Sequence, residues 1–129
     1  MGKYKFTFFF VGWMVLITSS SLFSFSIEGE DGIWFPHLDK IVHFIFHFVI
    51  LVLGAFALNE IAPAKWNWTK RIIFLLIFSV SYGLLIELLQ WVMPFDRFPE
   101  FWDVLANIAG ALTGSLLIQK NRSLIERLK

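Results

Sequence analysis

Four apolar stretches dominate the sequence, at about 6–27, 38–58, 71–93 and 101–118, with short polar segments between them. Each is close to the ~20 residues that a helix needs to cross a hydrocarbon core of about 30 Å. In lipid, every backbone N–H and C=O must find its partner within the span, which leaves helix as the available structure. The expected fold is an all-α membrane protein, a four-transmembrane-helix bundle formed by a single domain over 1–129. Composition agrees: the 129 residues are 57% apolar and 16% charged, against roughly 45–50% and about 25% in soluble domains. The absence of cysteine removes disulfides, thiolate metal sites and Cys nucleophiles. A net charge of +1 without a basic tract argues against nucleic acid as a partner.

The first stretch admits two readings. A cleavable signal peptide would use 6–17 as its apolar region and be cut after the serines at 19–21. The expected cleavage region has no A-x-A-like site and continues with Phe23 and Phe25, so a membrane helix is expected instead. The loop at 28–37 is acidic and glycine-rich, with Trp34 and Phe35 placed as interfacial anchors. The last segment, 119–129, is a basic amphipathic tail.

Charge sets the expected orientation. Lys3, Lys5, Lys65, Lys70, Arg71, Lys120, Arg122, Arg127 and Lys129 fall on the side of the two termini, and only Lys40 and Arg97 on the other. The positive-inside rule then places both termini in the cytoplasm. Most acidic residues, including Asp39, Glu87, Asp96, Glu100 and Asp103, lie on or toward the outer side.

Ionisable groups at membrane depth are costly and mark candidate functional positions. Asp39 and His43 enter with the second span, Glu87 and Gln90 leave with the third, and Asp103 and Asn107 open the fourth. At ~1.5 Å rise per residue, these six lie within roughly the outer 10 Å of the membrane. Residues three or four apart share a helix face, which gives three stripes. They are Asp39, His43, His47, Ile50, Gly54; Gln90, Glu87, Gly83, Ser79; and Asp103, Asn107, Gly110, Gly114. Each is polar toward the outside and small toward the cytoplasm, where small-xxx-small pairs let backbones approach. The expectation is a bundle closed at its inner end, opening outward into a polar cleft floored near His47 and rimmed by Asp96 and Arg97.

Each residue has a structural reading as well. The polar side chains serve as interhelical hydrogen-bond glue, Asp103 as a helix cap, and Lys40 and Arg97 as groups reaching for headgroups. The spacing of His43 and His47 resembles a metal-ligand pair, although an i,i+4 pair alone is weak. Together the residues fit three chemistries. The first is a divalent metal held by Asp39, His43, Glu87 and Asp103. The second is acid/base catalysis by His43, Glu87 and Asp103. The third is recognition of an anionic or lipid-linked component by Lys40, Gln90, Arg97 and Asn107. A serine nucleophile is the weakest candidate, since Ser79 and Ser81 lie deep and no G-x-S-x-G elbow exists. A small transporter is disfavoured because the inner halves of the stripes offer no polar path.

The pattern Asp39-Lys40-x-x-His43-Phe44, Glu87-Leu88-x-Gln90, Arg97 and Asp103-x-x-x-Asn107-x-x-Gly110-x-x-x-Gly114 resembles the VanZ-like family of small bacterial membrane proteins. The resemblance runs from about Asp39 to Gly114; the first span matches only in kind, and His47 stands where an aromatic is expected. It implies a bacterial cytoplasmic membrane, a tie to the cell envelope and a relation to resistance against the glycopeptide teicoplanin, with no reaction attached. Membrane lipids and an envelope component are the implied partners. No attached soluble domain is expected, so any chemistry is expected within the bundle.

Overall fold

A computed structural model describes residues 2–22, 38–93 and 100–128. Among the described residues all regular secondary structure is helical: α1 Lys5–Leu22, α2 Leu38–Ile61, α3 Trp68–Val92, α4 Phe101–Lys120 and the short α5 Arg122–Arg127. The first four are each long and apolar enough to cross a membrane. The acidic loop at 28–37, the turn at 94–99 with Asp96 and Arg97, and the end of the first expected span lie outside the described residues.

The sequence periodicity explains which face each helix buries. On α4 the buried residues are Asp103, Asn107, Gly110, Ala111, Gly114, Ser115 and Ile118, a single stripe at intervals of three and four. On α3 the stripe runs from Trp68 through Leu75, Ser79 and Gly83 to Glu87 and Gln90. The opposite faces remain apolar and open, with Phe8, Ile73, Ile77, Leu112 and Leu116 among the exposed side chains. Helices that are hydrophobic on both faces are suited to lipid on the outer one.

Helix α2 lies at the centre and meets α1, α3, α4 and α5, with α4 its most extensive neighbour. Glycines set that seam. A Cβ on Gly110 would collide with the Phe44 backbone carbonyl, and one on Gly114 would stand 2.8 Å from the Phe48 carbonyl oxygen. The two helices therefore pack backbone against backbone. Below the seam Ile50, Leu51, Leu75, Ala111 and Ile118 form the apolar core, joined by Ile17 from α1 and Ile125 from α5.

Helix α1 is the outermost, burying only Ile17, and polar contacts fix it. The Glu60 carboxylate, at the end of α2, accepts from the backbone N–H of Phe6 (3.0 Å) and Thr7 (2.9 Å) and from the Thr7 hydroxyl (2.7 Å). Orphan N–H groups at a helix start attract an anion, and here the anion comes from another helix. Further along, Trp13 Nε1 donates to the Phe46 carbonyl (3.3 Å), and Thr18 shares a hydrogen bond with the Tyr82 hydroxyl (2.6 Å). Glu60→Ala is expected to cost about 1–2 kcal/mol, as loss of a helix cap does, seen as a lower thermal midpoint in detergent. An unchanged midpoint would show that α1 docks without the clamp.

At the same end, Asn59 Nδ2 donates to the Ile125 carbonyl (2.9 Å), while Arg71 Nη1 donates to Asn59 Oδ1 (3.3 Å). Arg122 lies 5.5 Å from the centre of the Trp68 ring. The start of α1, the α2–α3 connection and α5 thus share one end of the bundle. The starts of α2 and α4 and the end of α3 share the other.

Candidate functional site

The end opposite the termini gathers most of the polar residues singled out in the sequence. Lys40, in the first turn of α2, reaches across to α4. Its ammonium donates to Asp39 Oδ2 (2.9 Å), lies 2.9 Å from Asp103 Oδ1, and pairs with Glu100. Three carboxylates thus share one ammonium. Glu100 is the residue before the first turn of α4, but its side chain does not cap that helix; it turns toward Lys40 instead. Its part went unread in the sequence. The signal was its position three residues before Asp103, which puts the two carboxylates on one face of the α4 start.

One turn deeper stands His43. Its Nδ1 is 3.0 Å from Asn107 Oδ1 and its Nε2 is 3.6 Å from Asp103 Oδ2. An amide oxygen only accepts, so Nδ1 donates to it, and in the neutral imidazole Nε2 then turns its lone pair toward the carboxylate. One donor atom from each of His43, Glu87 and Asp103 lies within 4.8 Å of the other two; Asp39, Glu100 and Asp103 form a second such group. Glu87 and Asp103 are 5% and 6% exposed, a depth at which carboxylates are seldom kept without partners.

Deeper again, His47 and Ser79 are both buried and share a hydrogen bond of 2.7 Å between Nδ1 and Oγ. A Cβ on Gly83 would stand 2.7 Å from Asn107 Nδ2 and 3.0 Å from His47 Cε1. Glycine at 83 lets both side chains lie against the α3 backbone. Between them is a cavity of about 10 Å³, bordered by His43, His47, Tyr82, Gly83 and Asn107, close to the lower limit for one water molecule. His47 belongs to neither carboxylate group; it ties α2 to α3.

Gln90 takes a different direction. Its Nε2 donates to the Ser21 carbonyl of α1 (2.9 Å), so it serves the contact between α1 and α3. Arg97, expected at the rim, lies outside the described residues. Beside the cluster a larger groove of about 670 Å³ runs along α4, bordered by Trp102, Leu105, Ala106 and Ala109, with Lys40 and Glu100 at its rim.

The order Ser79, His47, Asn107, His43, Asp103, Lys40 therefore forms one polar line toward the end of the bundle opposite the termini. The VanZ/LLP1 family model matches residues 4–124. The chain belongs to this family. The VanZ/LLP1 match takes in all four spanning helices, α1 included, where the motifs legible in the sequence begin only at Asp39. No curated protein and no solved structure matches the chain. As a VanZ/LLP1 protein it is a multi-pass membrane protein, with the Lys40–His43–Asp103 cluster at one end of the bundle.

Proposed function

We propose that the polar end of the bundle faces outward from a bacterial cytoplasmic membrane and binds a lipid-linked component of the cell envelope. The supporting observation is the juxtaposition of the Lys40–Asp103–His43 cluster with the apolar groove along α4. A lipid chain would lie between Trp102 and Ala109, bringing its polar head to the rim where Lys40 and Glu100 stand. The basic residues at the opposite end favour a cytoplasmic location for the termini. Family membership favours a role connected with glycopeptide resistance.

The test is lipid retention. Protein purified in mild detergent should carry envelope lipid visible by native mass spectrometry. Ala109→Trp, which fills the groove without touching the charged cluster, should lower that occupancy at least tenfold. Equal occupancy in the two proteins would refute the groove as the lipid site.

A second reading takes the polar layer as interhelical glue, and the Gln90–Ser21 and His47–Ser79 contacts favour it. The readings separate on His43 and Asp103. Both join α2 to α4, His43 through Asn107 and Asp103 through Lys40, so substitution at these two residues decides between the readings.

A further inference from the structure

We infer that His43, Glu87 and Asp103 bind one divalent transition-metal ion, with Asn107 as the residue that positions the imidazole. The inference deepens the lipid-binding reading and rests on the same end of the bundle.

The argument begins with the histidine. Asn107 Oδ1 accepts a hydrogen bond from His43 Nδ1–H, and in the neutral imidazole Nε2 is then the acceptor. Facing it at 3.6 Å is another acceptor, Asp103 Oδ2. Two lone pairs directed at each other repel unless a cation lies between them. A proton there would make a charge-assisted hydrogen bond, for which about 2.7–2.9 Å is usual; 3.6 Å is too long for one. It is close to the separation of two donors on one ion, since ligands bound at about 2.1 Å in tetrahedral geometry stand roughly 3.4 Å apart. Glu87 supplies a third donor within 4.8 Å of both. Each of these ligands comes from a different helix: α2, α3 and α4.

The surroundings agree. Metal-bound histidine characteristically donates its other ring N–H to a fixed acceptor, which orients the ring and sets its tautomer. Asn107 does this here, itself held against Gly83. One imidazole and two carboxylates suit Mn²⁺, Fe²⁺ or Zn²⁺ better than Mg²⁺ or Ca²⁺, which prefer all-oxygen shells. The ion also answers an electrostatic difficulty. Lys40 is already shared by Asp39, Glu100 and Asp103, so it has little attraction left for an anionic head. A divalent cation in the adjoining triad would offer a phosphate or carboxylate an open coordination position.

The test uses Mn²⁺ as the probe on EDTA-stripped protein in detergent, without added envelope lipid. The expected result is one bound Mn²⁺ per chain, with an electron spin-echo modulation from a directly bonded imidazole nitrogen. Asn107→Leu should weaken binding by roughly 10–100-fold, while Asn107→Asp, which still accepts from Nδ1, should retain it. Ala109→Trp should leave Mn²⁺ binding unchanged, so this inference and the lipid reading fail independently. No stoichiometric Mn²⁺ on the wild-type protein, or Mn²⁺ without nitrogen modulation, would overturn the site. The wild-type measurement stands regardless of whether any variant folds.

Discussion

Gly110→Ala is expected to destabilise the bundle by about 3 kcal/mol, the upper part of the range for overpacking. The added methyl meets the Phe44 carbonyl in the backbone of α2, and no side-chain rotation relieves that clash. Helices α2 and α4 would have to separate along their whole contact, loosening Ala111 and Leu51 beneath it. Gly12→Ala is the matched control. Nothing lies within 4 Å of its Cβ, and a helical alanine is favoured over glycine by up to about 1 kcal/mol. Thermal unfolding of the two variants in detergent checks this. Equal midpoints for Gly110→Ala and Gly12→Ala would show that the seam is looser than its geometry indicates.

The second large effect concerns function. Asp103→Asn keeps the shape of the side chain but removes the charge that pairs with Lys40 and faces His43. Lys40 retains Asp39 and Glu100, so no stranded cation forces the helix start to unfold. His43→Ala removes the imidazole and leaves Asn107 beside the small cavity, where water can take its place. Both variants are expected to reach the membrane at near wild-type levels and to abolish the proposed envelope function, read as teicoplanin tolerance conferred on a susceptible host by the wild-type protein. Gln90→Ala should behave in the opposite way, losing stability through the Ser21 contact while keeping activity per folded molecule. If tolerance instead tracks the amount of folded protein in all three variants, the polar layer is glue and the proposed site fails.

The sequence carried the helical faces well. Asp103, Asn107, Gly110 and Gly114 read as one stripe, and the structure buries them along one side of α4. Period alone does not say which neighbour a buried face meets. Gln90 and Glu87 share the α3 stripe, yet Gln90 turns to α1 while Glu87 approaches His43 and Asp103. A helix between two partners divides one stripe between them, and that division is set by tilt and rotation. The Glu60 clamp was illegible for a related reason. A carboxylate at the end of α2 looks like an ordinary solvated charge until the start of α1 is known to lie beside it. His47 shows a third limit. Its spacing from His43 suggested paired ligands, but its hydrogen bond to Ser79 directs it to α3.

The pairing of α2 with α4 has a consequence for how the protein is made. Its largest interface joins two helices separated in the chain by all of α3, so neither neighbouring hairpin can form it. During synthesis the chain emerges from its N-terminal end, and α2 must wait in the bilayer with Phe44 and Phe48 uncovered until α4 arrives. Neither Asp103 nor Asn107 can meet His43 before that moment. Helix α4 therefore both completes the packing and assembles the polar cluster, and a ribosome stalled before Phe101 would leave a membrane protein with His43 but no carboxylate from α4 to face it.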